Sequence, residues 1–182
     1  TRRAEDTRIF AYLNSDDYYL PDALAEVAKA FALNSDKNWL VGDAVIVDQD
    51  GTEIQKPIRW YKKLWRMVYG AWVLKILNPL PQPAVFIRWD ALEEVGAFSE
   101  QLRYVMDYEY WLRLQATFGN PILLPIPLAA FRIHGQSKGG TAFVEQFAEE
   151  LQVVRLFCKN SFLLSLHWLH NQLILSVYRL IK

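Results

Sequence analysis

The first half of the chain alternates short apolar runs with turns and helical patterns. Ile9 to Leu13 is an apolar and aromatic run that predicts a buried strand, and the polar cluster Asn14-Ser15-Asp16-Asp17 ends it as a turn. Pro21 then opens an amphipathic helix, because proline is tolerated in the first helical turn. Trp39 to Val47 predicts a second strand, and Asp48-Gln49-Asp50-Gly51 predicts a hairpin turn after it.

The second half continues this alternation and then becomes helical. We expect a strand at Val85 to Arg88, a helix from Asp90 to Val95 that ends at Gly96, a helix from Asp107 to Ala116, an irregular strand from Pro121 to His134, and helices from Ala142 onward. Strands that alternate with helices predict an α/β fold with a mixed β-sheet, followed by C-terminal helices.

Two amphipathic segments differ from the rest. Residues 59–77 place aromatic side chains at helical spacing with lysines and arginines between them, which predicts one helix. The last helix carries an apolar stripe formed by Phe162, Leu166, Leu169, Leu173, Val177 and Leu180. Both patterns are typical of a helix packed on a protein core, and the alternative is peripheral membrane contact through 59–77 or 161–182. His167 and His170 are expected to be surface histidines rather than a metal-binding pair, and together with Asn171 and Gln172 they interrupt any spanning segment.

Composition narrows the classes of function. The 182 residues suit one domain, and the 52% hydrophobic content is enough for a sizeable core. Lys and Arg total 20, as do Asp and Glu, so no net basic charge indicates a nucleic-acid partner. The single cysteine, Cys158, allows no intramolecular disulfide within this sequence and agrees with a cytoplasmic location, either free or at the inner face of the membrane.

Two acidic positions have residue types suited to catalysis. Asp16 and Asp17 follow the first predicted strand, where adjacent carboxylates can hold a hard divalent cation. The alternative is that Asp17 or Asp22 caps the next helix. Asp107 lies near the start of a helix and can act as a general base for a hydroxyl, or can simply interact favourably with the helix dipole.

A basic loop follows the last predicted strand. Arg132, His134 and Lys138 combine two cations with an imidazole, a combination suited to a diphosphate and its metal ion. An ordinary polar surface loop is the alternative.

Taken together, these segments resemble the family 2 glycosyltransferases of the GT-A fold, whose fold is Rossmann-like. The resemblance extends over about Ile9 to Lys138. The segments that carry it are Tyr12-Leu13-Asn14-Ser15-Asp16-Asp17 with Pro21, Val41-Gly42-Asp43, Asp48-Gln49-Asp50-Gly51, Leu80-Pro81-Gln82-Pro83-Ala84-Val85-Phe86, Val95-Gly96-Ala97-Phe98, Met106-Asp107-Tyr108-Glu109-Tyr110-Trp111-Leu112-Arg113, and Phe131-Arg132-Ile133-His134-Gly135-Gln136-Ser137-Lys138.

The resemblance implies an inverting, metal-dependent transfer of a sugar from a nucleotide-diphosphate sugar to an acceptor hydroxyl on a glycan or a lipid-linked sugar. It implies that Asp17 and His134 ligate Mg²⁺ or Mn²⁺, that Asp107 is the catalytic base, and that Trp111 lines the acceptor pocket. The residues that it implies for donor or diphosphate binding are Asp16, Gln82, Arg132 and Lys138.

The same resemblance implies two parts of the chain. Residues 1–140 match the C-terminal, metal- and acceptor-side portion of a GT-A domain, and residues 141–182 match a helical extension. The nucleotide-binding half of the family is expected before Ile9, so we expect the chain to be a fragment or a natural half of the fold. An inactive relative that only binds glycans or a partner chain is the alternative function.

Overall fold

The computed structural model describes residues 8–133 and 143–181. These residues form one five-stranded mixed β-sheet, seven α-helices and one short 3-10 turn. No helix within them is long and apolar enough to cross a membrane. The expected α/β class with a mixed sheet is therefore confirmed for the described residues.

The sheet has the strand order β1-β4-β3-β5-β2. Its strands are β1 Ile9–Ala11, β2 Tyr18–Tyr19, β3 Trp39–Val47, β4 Val85–Arg88 and β5 Ile122–Arg132. The two long strands, β3 and β5, run parallel at the centre, and every other pairing is antiparallel. The strands predicted for β3 and β4 have the same ends in the structure.

Helices cover both faces of this sheet. They are α1 Ala23–Leu33, α2 Lys56–Met67, α3 Ala71–Leu74, α4 Trp89–Val95, α5 Met106–Phe118, α6 Phe143–Phe157 and α7 Ser161–Ile181, and the 3-10 turn is Gln82–Ala84. The prediction of one continuous helix over 59–77 is wrong. That segment breaks at Gly70, whose extended backbone (φ −165°, ψ 171°) separates α2 from α3, because glycine stabilises a helix poorly.

Side chains of the central strands alternate between two hydrophobic clusters. Trp39 and Val41 of β3 pack with α5, and Leu40 and Ala44 pack with α1 on the opposite face of the sheet. Val153 of α6 lies in the same cluster as α5. The predicted division of the chain at residue 140 stays a prediction, although α6 shares the core of the preceding part.

Candidate active site

The acidic turn predicted after the first strand lies between β1 and β2. Asp17 is buried, and its Oδ1 accepts a hydrogen bond of 2.8 Å from the backbone N–H of Arg132. Its Oδ2 accepts one of 3.1 Å from Nδ2 of Asn14, and the Asp17 N–H donates to the Asn14 carbonyl at 3.2 Å, which closes the turn. Asp17 therefore fastens this turn to the end of β5.

The surroundings of Asp17 oppose its ionisation only in part. Burial raises the pKa of Asp17, and the neighbouring charge of Asp16 raises it further, whereas the hydrogen bonds from the Arg132 backbone and Asn14 lower it. The carboxylate does not serve as a helix cap. Asp22 occupies the position before α1, and its side chain makes no capping hydrogen bond.

Gln82 joins the same cluster from the 3-10 turn before β4. Nδ2 of Asn14 donates to Oε1 of Gln82 at 3.1 Å, and Nε2 of Gln82 donates to the backbone carbonyl of Tyr12. Asn14 thus bridges Asp17 and Gln82. The structure brings together two residues that are predicted for metal and donor binding and that lie 65 positions apart in the sequence.

Arg132 ends β5 beside this cluster, but its guanidinium is occupied by backbone carbonyls. Nε donates to the Asp16 carbonyl at 3.1 Å, and Nη1 donates to the Asp48 carbonyl at 3.1 Å and to the Gln49 carbonyl. Its guanidinium also lies 5.6 Å from the ring centroid of Tyr18. In this conformation Arg132 joins the acidic turn to the turn after β3, and its contact with a diphosphate stays a prediction.

Two predicted site residues, His134 and Lys138, lie outside the described residues. Within residues 8–133 and 143–181, no three His, Cys, Asp or Glu side chains come together in an arrangement that can hold a metal ion. Asp17 has suitable chemistry, because each oxygen of a carboxylate keeps a second lone pair after accepting one hydrogen bond. The second expected ligand, His134, lies outside the described part of the chain.

Asp107 is the second residue of α5, so it lies near the start of a helix as the sequence predicts. Its Oδ1 accepts a 2.8 Å hydrogen bond from the Tyr108 N–H. Part of Asp107 stays accessible, but the protein atoms packed around it raise its pKa, whereas the Tyr108 N–H and the charge of Lys62 lower it. A raised pKa makes the carboxylate a stronger proton acceptor.

Glu149 of α6 positions the start of α5. Its Oε1 accepts the N–H of Arg103 at 3.0 Å, and its Oε2 accepts those of Tyr104 at 2.7 Å and Val105 at 3.1 Å. These N–H groups lie just before the first turn of α5, where backbone donors need an acceptor. Sequence reasoning missed Glu149, because its partners lie about 45 residues away and no local pattern indicates them.

A polar cluster near Asp107 combines half-buried Lys62 of α2 with buried Glu150 of α6 and His167 of α7. Lys62 interacts electrostatically with Asp107 and with Glu150, and burial lowers the pKa of Lys62 while both carboxylates raise it. Burial raises the pKa of Glu150 to about 7, and Gln146 donates to Glu150 at 3.1 Å. Nε2 of His167 lies 4.0 Å from Oε2 of Glu150.

The expectation that His167 lies on the surface is wrong. Its side chain is fully buried, and its ring stacks against Tyr108 with the centroids 6.3 Å apart. Burial lowers the pKa of His167 to about 4, so the ring is neutral at pH 7.

An aromatic path connects the acidic turn to α5. The ring of Tyr12 lies 6.1 Å from that of Phe98, and Phe98 stacks on Tyr110 with the centroids 3.9 Å apart and an interplanar angle of 16°. Tyr110 follows Asp107 by three residues, and such residues share one face of a helix. Phe98 therefore contacts Tyr12, two residues before the turn that holds Asp17, and Tyr110, one helical turn after Asp107.

Trp111 lies in the hydrophobic core. Only 2% of its surface is exposed, and its ring meets Tyr110 edge to face at 6.1 Å. Its Nε1 has no hydrogen-bond partner within the described part of the chain. In this conformation an acceptor arriving from solvent does not reach Trp111, so an acceptor-binding role for it stays a prediction.

Compared with known proteins, the chain matches no family model and no curated protein sequence at a significant level.

Proposed function

We propose that this chain is the metal- and acceptor-side part of a GT-A-type glycosyltransferase. In this proposal a sugar moves from a nucleotide-diphosphate sugar to a hydroxyl of a glycan or a lipid-linked sugar, at the cytoplasmic face of a membrane. The observation that carries the proposal is that Asp17 and Gln82 share Asn14 as a hydrogen-bonding partner, while Phe98 contacts both Tyr12, just before the acidic turn, and Tyr110 of the helix that carries Asp107.

The chemistry follows from what Asp107 can do. The acceptor oxygen attacks the anomeric carbon of the donor sugar, and its proton passes to the Asp107 carboxylate. The bond from that carbon to the diphosphate oxygen breaks, and its electron pair leaves with the nucleoside diphosphate. General-base assistance of this kind contributes about 100- to 10,000-fold in rate. Glu149 and Lys62 act by holding the start of α5 and by setting the charge near Asp107.

Asp17, with Asp16 beside it, is the residue that would hold a Mg²⁺ or Mn²⁺ ion together with His134. Such an ion, when bound, supplies positive charge that stabilises the leaving diphosphate. Because the guanidinium of Arg132 is committed to backbone carbonyls, Lys138 is the remaining predicted cation for the diphosphate.

Calorimetric titration of the chain with UDP, in the presence and absence of Mn²⁺, tests the donor side. We expect Mn²⁺ to increase the affinity for UDP, and Asp17→Asn to remove most of that increase, about tenfold or more, because a metal–carboxylate contact is lost. Asn at this position keeps an oxygen that accepts the Arg132 N–H. Asp22→Asn is the matched control, since Asp22 is exposed and its side chain makes no capping hydrogen bond to α1.

Asp107→Asn tests the chemical step once an active form of the enzyme is in hand. We expect this variant to lose at least about 100-fold in the rate of transfer while it binds UDP and Mn²⁺ like the wild type. Equal losses of binding and rate would instead make Asp107 a structural residue.

An inactive module that binds glycans or a partner chain is the competing function. It predicts that UDP affinity is the same with and without Mn²⁺ in the wild-type chain. That result would overturn the role proposed for Asp17 and the metal ion in donor binding.

A further inference from the structure

The polar and apolar faces of α2 are reversed with respect to those of an ordinary surface helix. Arg59 and Arg66 point inward and form ion pairs with a buried carboxylate of β3. Trp60, Leu64 and Met67 point outward, and 59%, 59% and 72% of their respective surfaces are exposed. A helix on the surface of a globular protein ordinarily turns its apolar face to the core.

Helix α7 is reversed in the same way. The buried side includes His167 and Asn171, whereas Phe162, Leu169 and Leu173 are exposed by 68%, 51% and 59%. The apolar stripe predicted for this helix therefore faces outward in the described structure, and the expectation that it packs on the core is wrong for these residues.

The two exposed faces adjoin each other. Tyr61 of α2 stacks on His170 of α7 with the centroids 6.2 Å apart and an interplanar angle of 5°. The contacts continue from Tyr61 to Trp65 at 6.4 Å and from Trp65 to Trp72 of α3 at 6.0 Å. We call the resulting area the α2–α7 surface; its exposed apolar residues are Trp60, Leu64, Met67, Trp72, Leu169 and Leu173.

Charge is segregated onto the segments that form this surface. Residues 56–75 contain six Lys and Arg and no Asp or Glu, and residues 151–182 contain four and none, in a chain whose charges balance overall. Arg59 and Arg66 point inward to Asp43, and Lys62 faces Asp107 and Glu150, so the cations that α2 and α3 offer to solvent are Lys56, Lys63 and Lys75. The Lys56 side chain is 65% exposed and its ammonium lies 3.8 Å from Oε2 of Glu53, while the Lys63 ammonium lies 5.2 Å from the ring centroid of Trp60. Exposed aromatic and aliphatic side chains with lysines beside them are the chemistry that an anionic lipid surface attracts.

We propose that the α2–α7 surface docks on an anionic lipid bilayer, with α2 and α7 lying in the plane of the interface. The exposed apolar side chains enter the boundary between headgroups and acyl chains, and the lysines contact lipid phosphates. A second copy of this chain is a poorer occupant, because in a symmetric dimer residues 56–75 and 151–182 offer no carboxylate to the lysines of the other copy. The proposal does not depend on sugar transfer, since it rests on side chains outside the candidate active site.

Sedimentation of the full chain with lipid vesicles tests this. We expect binding to vesicles that contain phosphatidylglycerol with phosphatidylcholine, much weaker binding to phosphatidylcholine alone, and a decrease with rising salt. The triple variant Trp60→Ser, Leu64→Ser, Met67→Ser should lose about tenfold or more in partitioning, because three apolar side chains no longer leave water. The matched control is the double variant Leu24→Ser, Leu33→Ser on α1. These two leucines are 59% and 75% exposed, but α1 packs in the other hydrophobic cluster, away from the α2–α7 surface.

Three results would overturn the proposal. One is equal binding of the wild type to both kinds of vesicle, and another is equal loss of binding in the triple and control variants. The third is a dimer in sedimentation velocity that the triple variant converts to a monomer, without binding of the wild type to vesicles. Urea unfolding of each variant checks that the fold is retained, as the exposure of all five substituted positions leads us to expect.

Discussion

Asp43 is the carboxylate that anchors α2 to the sheet. It is buried in β3, and its Oδ2 accepts hydrogen bonds from Nε and Nη2 of Arg59 at 3.0 and 2.8 Å. Its Oδ1 accepts from Nη2 of Arg66 and from the Ala44 N–H at 2.9 Å. Arg66 is itself buried, and its Nη1 donates to the Pro79 carbonyl at 2.7 Å. The Asp43 carboxylate therefore pairs with two guanidinium groups, and it is the carboxylate that Arg66 contacts.

Asp43→Asn keeps the size of the side chain and removes that charge. Removing one partner of a buried ion pair costs about 3–5 kcal/mol, because the other charge stays buried without compensation. Arg59 keeps Glu53, whose Oε1 lies 2.8 Å from its Nη1, so the loss falls mainly on Arg66. We therefore expect a cost near the lower limit, about 3 kcal/mol.

Urea unfolding with the Glu53→Gln variant as the control measures this cost. Glu53 contacts the same arginine but its side chain is 31% exposed, so its replacement should cost less than about 1 kcal/mol. The melting temperature of Asp43→Asn should fall by about 6–12 °C for a chain of this size. A destabilisation no larger than that of Glu53→Gln would refute the reasoning, because it would show that Arg66 does not need Asp43 to remain buried.

Three further predictions concern stability and pH. Gly42→Ala should destabilise the fold by about 1–3 kcal/mol in urea unfolding, since the added Cβ would lie 2.4 Å from Cδ1 of the fully buried Leu128; an unchanged midpoint would contradict this. Burial raises the pKa of Glu150 from 4.5 to about 7, so the folded protein holds a proton that the unfolded chain releases, and stability falls as pH rises through this interval. The free energy of unfolding of Glu150→Gln, measured with urea at each pH, should therefore rise by about 3 kcal/mol relative to that of the wild type between pH 4.5 and 7. A difference that stays constant with pH would show that Glu150 titrates normally. Glu149→Ala should cost about 2 kcal/mol, because three N–H groups lose their acceptor, and faster hydrogen exchange at residues 103–105 would locate the loss.

The elements that the sequence predicts well are those with a continuous local pattern. The ends of β3 and β4 agree with the prediction because each is an apolar run bounded by polar or helical residues. The two-residue strand β2 was missed, since Tyr18 and Tyr19 follow no period and become a strand only by pairing with Ala130 and Ala129. The helix break at Gly70 was missed because the aromatic spacing continues across it.

The residues of the candidate site also fall into two groups, those that the sequence indicates and those that only the structure brings in. Asp17 and Asp107 were candidates by their chemistry and position, Gln82 was added by the resemblance of its segment to a family, and the structure joins Asp17 and Gln82 through Asn14. Lys62 and Glu149 contribute to the surroundings of Asp107 from other helices, and nothing in the segments around them indicates this. Hydrogen bonds between distant segments depend on how helices pack, and local sequence does not specify that packing.

The sequence by itself determined the α/β class, the positions of the main strands and which residues share a face of each helix, because these follow from local periodicity. Only the tertiary structure decided which face of α2 and α7 is buried. Periodicity groups side chains on one face but does not say what that face meets, and here the buried partners are Asp43 and Glu150. Asp43 holds the polar side of α2 inward through two arginines, and His167 of α7 is buried beside Glu150, which leaves Trp60, Leu64 and Leu173 on the outside.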